Sequence, residues 1–281
     1  MLQITEEKIK WMEGKAQEIR VSVIKMLAEA GSGHPAGALG MADIFTSLFF
    51  FIMKHDPTNP EWADRDRLIL SNGHICPVYY ATLAHSGYIK MEELKTLRKF
   101  GSRLQGHPDR RFLPLLETTS GPLGCGLSQA VGMCLADRID NGRRSEKQFY
   151  CILSDGELDE GNIWEGVMLG AKERLQNLTV IIDRNKIQLS GDTENIMPLE
   201  PLRQKWESFN WHVQVINGNN IKEVVEAVEN AHKMFDKPSV IIANTISGKG
   251  VSFMESKWEW HGKPLNKEEA EMAFKELNQE L

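Results

Sequence analysis

Short runs suited to strands recur along the chain at Arg67–Leu70, Phe149–Leu153, Leu178–Ile182, His212–Ile216 and Ser239–Asn244. Between them, apolar residues return at helical spacing. The longest such pattern covers Thr5–Ala30, where Ile9, Met12, Ala16, Ile19, Val23 and Leu27 share one face and Gly31 follows as a left-handed terminator. Ala42–Met53 predicts a buried helix, Pro57–Trp62 a turn-rich connection, and Pro77–Ala84 a helix with proline in its first turn. Further helices are predicted over Leu127–Ile139, Asn162–Leu175, Leu199–Phe209 and Ile221–Met234. Asn266–Leu281, rich in Glu and Lys, reads as a solvated terminal helix. The runs at 149–153 and 239–244 suit strands buried on both faces. This alternation implies an α/β fold: a three-layer, doubly wound, mostly parallel sheet with helices on both faces, formed by residues 1–281 as one domain. Ligands of such sheets sit at the carboxyl ends of the strands.

The chemistry-bearing residues fall at those ends. Phe149–Leu153 runs into Ser154-Asp155-Gly156, and Leu178–Ile182 into Asp183-Arg184-Asn185-Lys186-Ile187. Asp155 and Asn185 are 30 residues apart, about one crossover and its returning strand, so neighbouring parallel strands bring both side chains to one edge. A carboxylate, an amide oxygen and the main-chain carbonyl of Ile187 make a hard-oxygen set for a Mg²⁺ that holds a diphosphate. Gly156 permits close approach of backbone N–H groups to a phosphate. The plainer reading of the pair is turn formers and helix caps.

Four histidines stand in loops. His34 lies within the glycine-rich stretch Gly31–Gly40, His74 ends Ser71-Asn72-Gly73-His74, His107 follows Gly106, and His261 follows Trp260. Singly, each is read as structural or exposed. Gly-His-Pro occurs at 33–35 and again at 106–108, but no period is sustained. Glu117–Gly126 feeds a predicted helix, an arrangement suited to a phosphate at a helix N-terminus. It is no dinucleotide fingerprint, because the third glycine falls at Gln129 and no strand precedes it.

Composition narrows the classes. The 281 residues are 41% hydrophobic and 26% charged, ordinary for a soluble globular protein. A net charge of −6 argues against a general nucleic-acid binder. The start, MLQITEEKIK, lacks a signal peptide's apolar core, and Ile44–Met53 is too short to span a bilayer. Cys76, Cys125, Cys134 and Cys151 show no zinc spacing, so reduced cytosolic thiols and a cytoplasmic location are expected.

In order along the chain, Gly-His-Pro-Ala-Gly at 33–37, Ser-Asn-Gly-His at 71–74, Gly-His-Pro at 106–108, Thr-Thr-Ser-Gly-Pro-Leu-Gly at 118–124, Ser-Asp-Gly…Asn-x-Ile at 154–187 and His-Gly-x-Pro-Leu at 261–265 resemble the N-terminal, diphosphate-binding part of transketolases. Ser154 stands where the usual thiamine diphosphate motif has glycine. The resemblance implies the thiamine diphosphate-binding fold and a two-carbon ketol transfer from a ketose or its phosphate to an aldose or its phosphate, in which the cofactor is the electron sink. By it, Asp155, Asn185 and the carbonyl of Ile187 ligate Mg²⁺, with Ca²⁺ the alternative ion. His74, Gly121, Pro122, Leu123, Gly156, Asn185 and His261 contact the cofactor. His34, His107 and His261 face the substrate and serve proton transfer near neutral pH.

The pyrimidine-binding domain of the family, which brings the Glu that activates the cofactor, has no counterpart in these motifs. The expectation is therefore a split enzyme whose partner is a C-terminal transketolase subunit, with two of each chain in the assembly. Three other readings compete. They are a relative of 1-deoxyxylulose-5-phosphate synthase, the alpha subunit of a 2-oxo-acid dehydrogenase, and a non-catalytic regulatory homologue; the histidine set argues against the last two.

Overall fold

The computed structural model describes residues 4–142 and 145–279. Its main sheet has five strands, β1 (Arg67–Leu70), β2 (Phe149–Ser154), β3 (Leu178–Arg184), β6 (His212–Asn217) and β7 (Ser239–Asn244), in the order β1-β2-β3-β7-β6. Every neighbouring pair is parallel. A small antiparallel hairpin, β4 (Ile187–Gln188) and β5 (Gly191–Asp192), leaves the carboxyl end of β3. The periodicity did not reveal it, since two-residue strands carry no pattern.

The strand faces alternate between two cores. Tyr150, Ile152, Ile181, Ile241 and Ala243 join one cluster, with the long first helix and the helix Cys76–His85. Phe149, Cys151, Leu153, Val180, Ile182, Val240 and Ile242 join the other, against the helices Cys125–Asn141 and Gly161–Lys172. Both faces of β2 and β3 are thus covered, which is why these strands read as continuous apolar runs. The three predicted layers are present. Among the described residues, no helix is long and apolar enough to cross a membrane.

Several boundaries move for identifiable reasons. Thr5 caps the first helix, Glu6–Ala30, by accepting from the Lys8 N–H at 3.2 Å, and Gly31 ends it at φ 61°. The glycine-rich stretch after it is not all loop: Pro35–Gly40 is helical, with Pro35 at its first position. The buried segment predicted over Ala42–Met53 is α-helical only over Ala42–Ser47, then widens to a π turn over Leu48–Ile52, and Met53 is extended. Leu199–Phe209 is helical over Leu202–Ser208, because Pro201 cannot continue a helix backwards.

The terminal helix corrects the expectation most. Lys267–Gln279 is not merely solvated, since Ala270, Ala273 and Leu277 are buried and Gln17 Nε2 donates to the Leu277 carbonyl at 2.7 Å. Its Glu and Lys residues mask an apolar stripe at helical spacing. The last two positions of the predicted helix, 280–281, lie outside the described residues.

One buried ion pair ties the first layer together. Arg20 and Asp43 are each 5% exposed and hydrogen-bonded to one another. Arg20 Nε also donates to the Leu39 carbonyl at 3.2 Å, and Asn219 Nδ2 donates to Asp43 Oδ2 at 2.8 Å. Asp43→Ala leaves the Arg20 guanidinium buried without its anion, so thermal or urea denaturation is expected to show a loss of about 3–5 kcal/mol. A variant within about 1 kcal/mol of wild type would show that water replaces the carboxylate.

Candidate active site

The carboxyl ends of β1, β2 and β3 open onto one cavity of about 280 Å³. β1 leads through Ser71-Asn72 into a single tight turn, Gly73–Ile75, that carries His74. His34 precedes the helix Pro35–Gly40. Gly33, at φ 133°, packs so closely beneath it that a Cβ would lie 2.4 Å from the Leu27 side chain. His107 comes from the loop after Leu104, and His261 from the end of the turn Trp258–Trp260.

These four imidazoles, far apart in sequence, converge. Ring centroids are 5.3 Å apart for His34 and His74, 6.2 Å for His34 and His107, 5.7 Å for His34 and His261, and 5.0 Å for His74 and His261. Burial disfavours the charged form of each. His34 is pulled down to about 4, first by burial and then by the neighbouring His261, Arg98 and His107. His74 lies well below its ordinary value, first through burial and then through the other three imidazoles, and His107 and His261 are also lowered, mainly by burial. At neutral pH the cluster is therefore uncharged, and each ring can both donate and accept a proton.

Gly121, Leu123, Gly156, Asn185 and Ile187 line the same cavity. Pro122 is not among the lining residues, and Asp155 lies beneath the floor with no exposed surface. Asp155 is held by its own neighbourhood. Oδ2 accepts from Arg184 Nη1 at 3.1 Å and the Lys186 N–H at 2.6 Å, and Oδ1 accepts from the Gly156 N–H at 2.8 Å. Asn185 Oδ1 accepts from the Ile187 N–H at 2.9 Å, while its Nδ2 donates to Asp183 Oδ2 at 2.9 Å. Burial raises Asp155 to about 6 and Asp183 to about 7, against the pull of Arg184 on the first and of the Thr245 hydroxyl on the second.

Sequence reasoning overlooked Arg184, Asp183 and Glu157. All three were visible as polar residues at the end of an apolar run, but only tertiary contacts reveal that they point inward. Arg184, 3% exposed, also bridges Glu194 at 2.7 Å and Glu200 at 3.1 Å. Asp155 is therefore not the isolated anion that the motif alone suggests.

The family model for the transketolase thiamine diphosphate binding domain matches residues 12–280. The chain belongs to the transketolase family. It is similar to the 6-deoxy-6-sulfo-D-fructose transketolase subunit of Clostridium sp. (strain MSTE9), at 44% identity over 96% of this chain and 97% of that protein. It is also similar to an apulose-4-phosphate transketolase subunit of Actinobacillus succinogenes, at 39% identity over 96% of both. Human transketolase is 33% identical over 98% of this chain, which spans 43% of that enzyme's length. Transketolase from Campylobacter jejuni superposes with a TM-score of 0.90 at 35% identity, covering 96% of this chain and 43% of that one. The thiamine diphosphate-binding fold expected from the motifs is thus present, over the section of transketolase that the histidine and Asp-Gly motifs indicated.

The residues of this transketolase domain suit a diphosphate and its metal. Asp155 and Asn185 stand at adjacent strand ends, and the two raised carboxylates there, Asp155 and Asp183, would be relieved by a divalent cation. His34, which lines the cavity, keeps its Nδ1 buried without a partner, which favours a polar occupant. Among the described residues no three His, Cys, Asp or Glu side chains converge as a metal site, so one carboxylate with neutral oxygens is the available donor set.

The lowered imidazoles carry a sign. A histidine depressed when folded contributes full stability above its unfolded value of 6.5, and that stability is lost as pH falls from 6.5 toward the folded value, about 4 for His34. Chemical denaturation between about pH 8 and pH 4.5 should show stability dropping below the ordinary histidine value, and His34→Asn should reduce the drop. An unchanged slope in that variant would mean His34 is charged in the folded chain.

Proposed function

We propose that this chain is the cofactor-binding subunit of a two-chain transketolase that moves a two-carbon ketol unit from a ketose or ketose phosphate to an aldose or aldose phosphate. The observation that carries the reading is the convergence of His34, His74, His107 and His261 on the cavity that Asn185 and Gly156 line. Two relatives are named for sugars with an anionic group, one sulfonated and one phosphorylated, and this supports a sugar with a charged terminus as substrate.

Asp155, Asn185 and the Ile187 carbonyl would hold Mg²⁺ and, through it, the diphosphate. Gly121, Leu123 and Gly156 would present backbone close to that group, with Pro122 shaping the loop, and His74 and His261 would meet the cofactor's ring end. When bound there, thiamine diphosphate supplies the nucleophilic carbon and electron sink for carbon–carbon cleavage. The chain's own part is proton traffic and exclusion of water. His34, His107 and His261, neutral at pH 7, accept protons from sugar hydroxyls and return them to carbonyl oxygens, each step needing hydrogen-bond reach and a ring near neutrality.

The rim supports a partner chain. Leu123 and Leu189 line the cavity yet remain 37% and 67% exposed, and Ile196, against the same hairpin, is 47% exposed. Such a rim suits the pyrimidine-binding domain of a C-terminal subunit, in an assembly of two of each chain. Free, mostly buried cysteines accord with a cytoplasmic setting.

Asp155→Ala should weaken Mg²⁺-dependent cofactor binding, measured by calorimetry, by at least about 10–100-fold, the scale for disturbing a metal's surroundings. His107→Ala and His261→Ala should instead lower turnover about 10²-fold with a smaller change in cofactor affinity; the reverse pattern would exchange the assigned roles. Ketol transfer should be absent with this chain alone, cofactor and Mg²⁺ supplied, and appear on adding the partner chain. Robust activity of the chain alone would overturn the two-chain reading.

A further inference from the structure

Glu157 has no exposed surface, and the chemistry proposed above does not employ it. It sits in the turn Gly156–Asp159 that follows β2, and its side chain turns back toward the strand. Oε1 accepts from the Gly124 N–H at 2.7 Å and from the Ser71 hydroxyl, and Oε2 accepts from the Ser154 N–H at 3.1 Å. Ser71 Oγ in turn accepts from the Gly126 N–H at 3.0 Å. One carboxylate therefore joins the end of β1, the end of β2 and the glycine loop before the helix Cys125–Asn141. These segments are otherwise remote in sequence, and all its donors are uncharged.

The start of that loop is anchored elsewhere, Glu117 by Arg65 and Arg67 and Thr119 by the Arg110 N–H at 3.1 Å, but these contacts stop short of Gly121–Gly124. No strand precedes it, Gly121 and Gly124 hold φ of 157° and 83°, and the Ser120 N–H donates to the Pro108 carbonyl at 2.9 Å. Gly124 is packed against the helix Gly161–Lys172, where a Cβ would lie 2.0 Å from Asn162 Oδ1. Yet Gly121 and Leu123 from the loop, and Ser154, Gly156 and Glu157 from the end of β2, all line the cavity. Three donors from three segments converge on this one buried carboxyl group, which suits it to fixing the loop against the strand ends.

We infer that Glu157 is a positioning residue, whose buried carboxylate pins the Ser120–Gly124 wall to the end of β2 and so sets the width of the diphosphate end of the cavity. The consequence for the cofactor rests on the function proposed above; the pinning itself does not. An amide in its place can accept from Gly124 and Ser71, but it turns an N–H toward Ser154. A methyl leaves all three donors unmet.

The test is backbone hydrogen exchange on the full chain, wild type against Glu157→Gln and Glu157→Ala, without cofactor. Exchange over residues 118–127 should accelerate about tenfold or more in the alanine variant and less in the glutamine variant, with the first helix and β3 unchanged. No local change, or uniform acceleration over the whole chain, would overturn the pinning, and the glutamine variant decides if the alanine variant does not fold. In the enzyme assembled with its partner, titration with thiamine diphosphate at saturating Mg²⁺ should show the cofactor KM rising by a larger factor than kcat falls. An unchanged KM alongside accelerated local exchange would overturn the link to the cofactor. A wild-type enzyme indifferent to thiamine diphosphate would overturn the proposed function, while the exchange result would still decide the pinning.

Discussion

A carboxylate withdrawn from water costs several kcal/mol unless hydrogen bonds or opposite charge replace its hydration. β2 and β3 end among three of them, Asp155, Glu157 and Asp183, at 0%, 0% and 1% exposure. Each is compensated differently. Asp155 takes the Arg184 guanidinium and two backbone N–H groups, Glu157 takes two N–H groups and a hydroxyl, and Asp183 takes the Thr245 hydroxyl and the Asn185 amide. The compensating groups come from the ends of β1 and β7, the glycine loop, and the segment after β3. Solving the electrostatics of the strand ends thereby gathers the loops that form the cavity. The parallel register supports this: Ser154 is level with Asp183, and Asp183 with Ala243, so three strands deliver their polar ends to one edge.

How much of this was legible follows from what periodicity can carry. β1 and β7 occur where their runs place them, because continuous burial imposes apolar residues on their interiors, Leu68–Leu70 and Val240–Ala243. The terminal helix was misjudged for the converse reason. Its Glu and Lys dominate the composition, while Ala270, Ala273 and Leu277 are too few and small to announce a buried face. The π turn at Leu48–Ile52 has no signature, since a run of Leu, Phe and Ile suits either helix type. Within the site, the histidines and the Asp155–Asn185 pair were legible as motifs. The inward turn of Arg184 and Glu157 was not, because nothing local distinguishes a buried Arg or Glu from a solvated one at a strand end. Only the position of its partners does so, and those of Glu157 include groups 33 and 86 residues away.

Bringing four imidazoles within ring contact is itself a demanding arrangement. Were they charged, each pair at such a separation would repel, and the burial that lowers them would be untenable. Were they merely structural, their ring nitrogens would be expected to find protein partners, as His85 does with Ser22 and His232 with Tyr150. His34 Nδ1 instead stays buried and unpaired. The contrast within one chain separates the two kinds of histidine: His55, His85, His212 and His232 close hydrogen bonds with their neighbours, whereas the four at the carboxyl edge of the sheet face a cavity. A polar occupant would complete that cavity from within, and the exposed Leu123 and Leu189 give it an apolar rim that a partner could cover. Excluding water at that rim would strengthen every electrostatic interaction inside, so the same partner that covers the leucines would also make the neutral imidazoles effective.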